Sequence, residues 1–313
     1  MTPAPHRDNR LIATVCILTG VGFASLQDAI VKSVSGGYPA YEALMFRCIG
    51  SVPVLLALLW YLKAFKLLWP PLMGRIVLRG VILGVAYLSF VLSIAAMPLA
   101  NAVAIYFTMP FFVAGLAGPM LGERVRPHRW LAMAAGFMGV LIIVRPGLTV
   151  FEPASLLALL SALGYGVGQM IGRPVAQQVQ PVVIAVWQNA IYFAIGLAFA
   201  ILFNGFDVGP FQHPSLVFLS RSWVWPTAFD GALMTLMGVF AAVAMMLFVN
   251  AYKFAETNFV APFEYSAMIW AVINGYVLFR DFPDAYTWMG AAIVITAGIF
   301  MVWRDRVLDR PAA

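Results

Sequence analysis

Residues 80–122 read GVILGVAYLSFVLSIAAMPLANAVAIYFTMPFFVAGLAGPMLG, with no charged side chain between Arg79 and Glu123. That run is too long for one helix across a hydrocarbon core, and it is long enough for two. The natural break is Met97-Pro98-Leu99-Ala100-Asn101, where a proline and an asparagine suit a tight interhelical turn. The rest of the chain has the same character. Of its 313 residues, 63% are hydrophobic and 10% charged, with mean hydropathy +0.90. Soluble domains are nearer half apolar and a quarter charged, so a water-soluble fold is excluded. The chain is all-α and integral to a membrane.

Charges and Pro/Gly turns divide it into ten spans near 11–32, 40–62, 76–96, 99–121, 130–145, 154–172, 182–204, 228–251, 258–279 and 287–303. Residues 1–10 and 304–313 are short tails. The run 11–32 is too long for a signal-peptide core and carries polar residues deep inside. Ten spans place Arg7, Arg10, Lys63, Lys66, Arg75, Arg79, Arg124, Arg126, Arg129, Arg173, Lys253, Arg304, Arg306 and Arg310 on one side. The other side receives Arg145, Arg221 and Arg280. This asymmetry, 14 against 3, predicts that both termini are cytoplasmic. The net charge of +6 is therefore a topology signal and not a nucleic-acid surface. Cys16 and Cys48 lie in apolar segments and imply no disulfide framework.

The two halves repeat. Gly22-Phe23, Gln27, Pro39 and Ala43 match Gly164-Tyr165, Gln169, Pro181 and Ala185 at an offset of 142. Gly80-Val81, Val85-Ala86, Phe90, Glu123 and Trp130 match Gly238-Val239, Val243-Ala244, Phe248, Asp281 and Trp288 at an offset of 158. The offset changes within the long connection 204–227. Each repeat holds five spans, and an odd number inverts the second repeat relative to the first. Inverted repeats are the architecture of alternating-access carriers, with the site near the midplane between halves. The halves are drawn at 11–147 and 148–303.

Several stretches resemble the drug/metabolite transporter superfamily, in its ten-span branch with two EamA domains. They are Glu42-Ala-Leu-Met-Phe-Arg47, Pro98-Leu-Ala-Asn-Ala-Val-Ala, Leu121-Gly-Glu123, Gly136-Phe-Met-Gly139 and Arg145-Pro-Gly147. In the second half they are Ala261-Pro262-Phe-Glu-Tyr265, Phe279-Arg-Asp-Phe-Pro283 and Trp288-Met-Gly290. The resemblance covers about residues 11–303. It departs at Arg280-Asp281, where the common pattern has Gly-Glu. It implies a secondary transporter of small metabolites in a bacterial-type inner membrane. Export of amino acids and related compounds is the leading expectation. Uptake of a cofactor-like metabolite such as riboflavin or S-adenosylmethionine is the alternative. It also implies a cavity lined by spans 1, 3, 4, 6, 8 and 9.

Charged groups inside the spans need reasons, because each costs about 2.5–3.5 kcal/mol near the bilayer centre on insertion scales. Asp28 and Lys32 share one face of span 1, and Glu42 and Arg47 lie in span 2. A structural pair, Asp28–Arg47 or Asp28–Lys32, is expected to lock spans 1 and 2; an outer gate or a substrate anchor is the functional alternative. Glu264 stands two residues after Pro262, which can open the helix locally where a cavity is lined. It could hold a substrate amine or take up a proton, or sit hydrogen-bonded in the packed core. Its repeat mate is Tyr106, so the two are expected to face each other across the pseudo-twofold axis. Gln27 and Gln169, also repeat mates, can each donate and accept. With Tyr87, Tyr106, Tyr165, Glu264 and Tyr265 they complete the candidate substrate site. Softer candidates are Thr108, Gln188, Asn189 and Asn250. Pro53 and Pro110 are read as kinks.

No Gly-x-x-x-x-Gly-Lys-Ser/Thr run is present, so a nucleotide-driven pump is unsupported. His6, His128 and His213 lie in tails or loops, so neither a membrane metalloenzyme nor a cofactor is expected. The chain is not read as an enzyme. A channel or a membrane sensor remains the reading from another class, and the inverted repeat favours a carrier over it. Gly80-x-x-x-Gly84 and Gly168-x-x-x-Gly172 are read as helix packing within the chain, leaving monomer and oligomer both open. Trp223 and Trp225 read as interfacial anchors, with a plug or short surface helix as the alternative.

Overall fold

The computed structural model describes residues 9–121, 127–145, 152–206, 211–255 and 257–308. All regular structure among them is helical. The order is α1 (Arg10–Val34), α2 (Ala40–Tyr61), a 3-10 turn (Phe65–Leu67), α3 (Met73–Ala96), α4 (Leu99–Tyr106), α5 (Met109–Leu121) and α6 (Pro127–Val144). It continues with α7 (Ala154–Ala176), α8 (Pro181–Gly205), α9 (Pro214–Ser220), α10 (Ala228–Phe254), α11 (Thr257–Glu264), α12 (Ala267–Phe279) and α13 (Ala285–Leu308). Among the described residues, nine helices are long and apolar enough to cross a membrane, with α4 and the start of α5 counted as one. The stretch expected as the ninth span is divided into α11 and α12, and α12 alone is a shorter apolar helix. The chain is a multi-pass membrane protein.

Local chemistry sets the helix ends. Asn9 caps α1 by accepting the Ile12 N–H at 3.3 Å, and Thr227 caps α10 by accepting the Asp230 N–H at 3.1 Å. Pro181 occupies the first turn of α8, where its missing N–H removes no helical bond. Pro53 lies inside α2. Glu123, Arg124 and Arg126 lie outside the described residues, as do residues 1–8, 309–313 and Gly147.

The helices pair in a regular scheme. α1 packs most extensively on α10, and α3 packs almost as extensively on α7. α2 crosses both α8 and α10, α3 also meets α8, and α6 lies along α13. α5 and α4 both meet α7, as α12 and α11 both meet α1. Small residues permit the closest crossings. A side chain on Gly50 would run into the Thr235 carbonyl, and one on Gly238 into the Arg47 carbonyl, so the α2 and α10 backbones touch. Gly139 and Gly290 likewise face each other's carbonyls between α6 and α13. Both Gly-x-x-x-Gly motifs pack within the chain: Gly80 and Gly84 against Ile191 and Ile195 of α8, Gly168 and Gly172 against Leu83 and Arg79 of α3.

Two helices expected as continuous are broken at matching places. The α4–α5 break falls at Phe107–Thr108, and the α11–α12 break at Tyr265–Ser266. In the first, Pro110 lacks the N–H that would bond the Tyr106 carbonyl, and Thr108 donates its hydroxyl to the Ile105 carbonyl at 2.8 Å. The second break follows Pro262 instead of preceding it, which corrects the expectation that this proline opens the helix. A proline disturbs the turn on its N-terminal side. Ser266 stands where Thr108 stands in the first half, with its hydroxyl buried and without a hydrogen-bond partner among the described residues.

The connection 211–227 is a folded element, not a bare loop. Its short helix α9 buries Phe218, and the Ser215 hydroxyl donates to the Leu92 carbonyl at 2.7 Å. Trp223 packs against Tyr41 and Phe46, which corrects its reading as an interfacial anchor, whereas Trp225 is 81% exposed. Both cysteines are free.

Candidate functional site

Sequence reasoning expects Asp28 to pair with Arg47 or Lys32, and the structure corrects both pairings. Lys32 reaches across to Asp281 at 2.8 Å, donates to the Met97 carbonyl at 2.9 Å and lies over the Phe279 ring. Lys32 sits at the last turn of α1, close enough to the α12–α13 connection to find a carboxylate there. A second cation uses the same connection. Arg145 pairs with Asp284 and stacks over Tyr286. Its backbone and that of Arg280 adopt positive φ, 49° and 60°. Burial raises the Asp284 carboxyl, but hydrogen bonds from the Thr287 hydroxyl and N–H and the Arg145 guanidinium outweigh it and hold it below its ordinary range. Arg221 donates to the Ser35 and Tyr38 carbonyls at 3.2 Å, and the Tyr38 hydroxyl donates to Asp230 at 2.6 Å. This end of the bundle, called distal here, is therefore cross-tied by polar contacts. Glu42 lies there, fully buried, with one oxygen accepting the Val224 N–H at 3.2 Å and the other unbonded.

The centre differs. Arg47 donates its Nε–H to Gln27 Oε1 at 3.0 Å. Its guanidinium lies 4.8 Å from the Tyr87 ring centroid and 5.7 Å from that of Tyr192, and those two rings stack at 5.6 Å. Gln27 Nε2 points to Asp28 at 3.4 Å. Tyr106 packs its ring against Phe90 at 5.2 Å and Tyr165 at 6.0 Å. Gln169 donates to the Tyr165 hydroxyl at 2.5 Å. Glu264, at the end of α11, accepts from the Tyr252 hydroxyl. The charge of Glu264 acts on Tyr106, Tyr165, Tyr252 and Tyr265, and that of Asp28 on Tyr87 and Tyr106. Asp28, Tyr87, Tyr106, Tyr165 and Glu264 thus share one neighbourhood, fed by α1, α3, α4, α7 and α11. All five are half-buried.

Polar groups in that neighbourhood remain unspent. The hydroxyls of Tyr87 and Tyr106 make no hydrogen bond to the described residues, and the terminal nitrogens of Arg47, which lie by the Cys48 thiol, meet no oxygen acceptor among them; none is fully buried. Buried polar groups are normally satisfied, so a cluster of unsatisfied but accessible ones inside a membrane bundle is what a ligand or water would complete. The arrangement offers an aromatic wall, a cation at one side and a carboxylate at the other. Among the described residues no three His, Cys, Asp or Glu side chains gather as metal ligands would.

Other candidates are placed elsewhere. The ring of Tyr265 packs on Phe107 at 5.0 Å and its hydroxyl lies against Gly298, so it bridges the two helix breaks to α13. Thr108 bonds its own helix, as does Asn250, which donates to the Met246 carbonyl. Asn189 ties α8 to α2 through Ser51 and the Cys48 carbonyl. Gln188 links Arg79 to Tyr192. Sequence reasoning missed Tyr192 and Tyr252. Tyr192 lies one helical turn beyond Gln188, and that spacing was the available signal. Tyr252 adjoins Lys253 near the end of α10, and no spacing or repeat match marks it out in the sequence.

Comparison with known proteins agrees with this geometry. The pattern of the EamA-like transporter family matches residues 11–145 and 153–304. A riboflavin transporter of Rhizobium johnstonii is 31% identical, over 95% of this chain and 92% of that protein. An S-adenosylmethionine uptake transporter of Rickettsia conorii is 25% identical, over 92% and 94%. A solved crystal structure superposes with a TM-score of 0.61 at 18% identity, covering 96% of this chain and 99% of the other, a likeness of fold alone. With its two matched segments spanning most of its length, this chain belongs to the EamA-like transporter family of the drug/metabolite transporter superfamily.

Proposed function

We propose that this protein is a secondary carrier that takes up a cofactor-like heterocyclic metabolite, of the class that includes riboflavin and S-adenosylmethionine, across a bacterial inner membrane. The observation that carries this reading is the unspent polar and aromatic cluster beside two helices broken at matching places. The names of the relatives favour cofactor uptake over the amino-acid export that the sequence led with.

The carrier works by alternating access between two inverted five-span halves, 11–147 and 148–303, with ten crossings and both termini cytoplasmic. The helix pairings support that reading. Exchange of α1 with α7, α2 with α8, α3 with α10, α4–α5 with α11–α12 and α6 with α13 turns the main contacts into one another. Broken helices in corresponding positions are the feature carriers use to expose backbone and polar groups at the midplane. The substrate's ring packs on Tyr87, Tyr106 and Tyr165. Gln27 positions Asp28 and Arg47 from behind, Gln169 presents its amide oxygen, and Glu264 offers its second oxygen. Lys32–Asp281 and Arg145–Asp284 close the distal, outward side while the site is open or opening toward the cytoplasm.

The test is flux in proteoliposomes with labelled riboflavin, S-adenosylmethionine and a panel of amino acids. Saturable uptake of a heterocycle with counterflow supports the proposal. Saturable movement of amino acids alone replaces it with the export reading, and non-saturable flux replaces the carrier with a channel.

A further inference from the structure

Asp28, Gln27 and Arg47 hold two opposite charges side by side without letting them pair. Arg47 donates to Gln27 Oε1 at 3.0 Å, lies by the neutral Cys48 thiol, and forms no ion pair and meets no carboxylate among the described residues. Asp28 has one long contact, 3.4 Å from Gln27 Nε2. Gln27 is buried, bonded through its oxygen to the cation and through its nitrogen to the anion, and so keeps them apart. The neighbouring cations are committed elsewhere: Lys32 to Asp281 and Arg79 to Gln188. Tyr87 and Tyr192 flank the guanidinium with ring faces, and rings offer no carboxylate.

Buried charges are usually paired, because an unpaired one costs several kcal/mol in an apolar medium. A purely structural role would be served better by direct contact than by a spacer. A neutral ligand would leave both charges as they are. A zwitterion completes both: its carboxylate accepts from the fork of Arg47, and its ammonium donates to Asp28. An α-amino-acid head group carries both charges on one carbon. Resting on the uptake reading above, we propose that Asp28 and Arg47, spaced by Gln27, are the receptor for an α-amino-acid head group of the substrate. The tyrosine wall takes the rest of the molecule. The two residues are specificity-determining, since they select zwitterionic over uncharged heterocycles.

The experiment is equilibrium binding to the purified full-length protein, using S-adenosylmethionine, its decarboxylated analogue, L-methionine and riboflavin as probes. For wild type, removing the carboxylate from the probe should weaken binding about tenfold or more. In Arg47→Gln the intact probe should bind about as weakly as the decarboxylated one, so that the carboxylate no longer matters. Asp28→Asn should weaken both probes alike. The wild-type comparison varies only the ligand, so misfolding of a variant does not blur it. Equal binding of the two probes to wild type overturns the proposal. Binding of riboflavin without any zwitterion overturns it too, while leaving heterocycle uptake standing. Binding of L-methionine but of no heterocycle, lost in Arg47→Gln, upholds the receptor and removes the heterocycle reading. Binding of no zwitterion at all overturns the receptor.

Discussion

Phe107 and Tyr265 occupy the same position in the two halves, at an offset of 158, and they touch: their rings meet edge to face with centroids 5.0 Å apart. Each lies at the break of its own helix, so the two interruptions meet at one point in the bundle. The Tyr265 hydroxyl is fixed against Gly298, where an added methyl group would collide with it. Gly298→Ala should therefore destabilise the protein by about 1–3 kcal/mol through overpacking. Tyr265→Phe should be close to neutral alone and should recover only part of that loss in the double variant, because the ring carbon that bears the hydroxyl also lies 2.7 Å from the added methyl. Thermal unfolding of the four proteins in one detergent checks this, and strict additivity would show that the hydroxyl is not what Gly298 accommodates.

The Lys32–Asp281 pair joins the end of α1 to the α12–α13 connection, 249 residues away in sequence. Lys32 is only 13% exposed, so removing Asp281 leaves a largely buried ammonium with the Met97 carbonyl as its remaining acceptor. Asp281→Asn should weaken the closed distal side more than Lys32→Met/Asp281→Asn does. Replacing both by cysteine and oxidising should arrest transport if the pair is an outer gate, and reductant should restore it. Undiminished flux in the crosslinked protein would make the pair a static strut.

The other distal pair is Arg145–Asp284. The Asp284 carboxyl is held below its ordinary value of 3.8, so its contribution is present above the unfolded value and lost as pH falls through the folded one. Between about pH 5 and 8 it stays ionised and the Arg145–Asp284 contact is constant. Any pH dependence of transport in that range should therefore survive Asp284→Asn unchanged. Flux measured across pH 5–8 for both proteins tests this, and a shifted profile in the variant would place the sensor at Asp284.

Much of this fold is legible in sequence. The expected spans overlap the helices closely because charges and prolines mark their ends, as at Pro39, Pro98 and Pro181. The break at Phe107–Thr108 is partly legible, since Pro110 reads as a kink; that at Tyr265–Ser266 is not, since it follows Pro262 where a proline disturbs the turn before it. The site is legible by residue type and not by partner. Gln27, Tyr106 and Tyr165 stand out as polar groups in lipid-length runs. That Lys32 would choose Asp281 over Asp28, only one turn away, depends on where the α12–α13 connection lands. Glu42 reads like any membrane carboxylate, and only the folded connection around Trp223 and Val224 reveals that it is buried.

Glu264 and Tyr252 provide the last prediction. The carboxyl accepts from the Tyr252 hydroxyl, and among the described residues no cation pairs with it. Its charge reaches four tyrosines, from α4, α7, α10 and its own helix end. An ionised carboxylate so surrounded is costly away from water, and it gains stability when the site opens to water or a proton or cationic group arrives. Glu264→Gln keeps the shape and an acceptor for Tyr252 but cannot exchange a proton or hold a cation. It should express and fold like wild type while losing about tenfold or more of any flux driven by a pH gradient, leaving exchange between equal substrate pools less affected. Tyr252→Phe should retain gradient-driven flux with a shifted pH profile, since the carboxyl then loses its one hydrogen bond. Wild-type gradient-driven uptake by Glu264→Gln would remove the carboxylate from coupling and return it to a packing role.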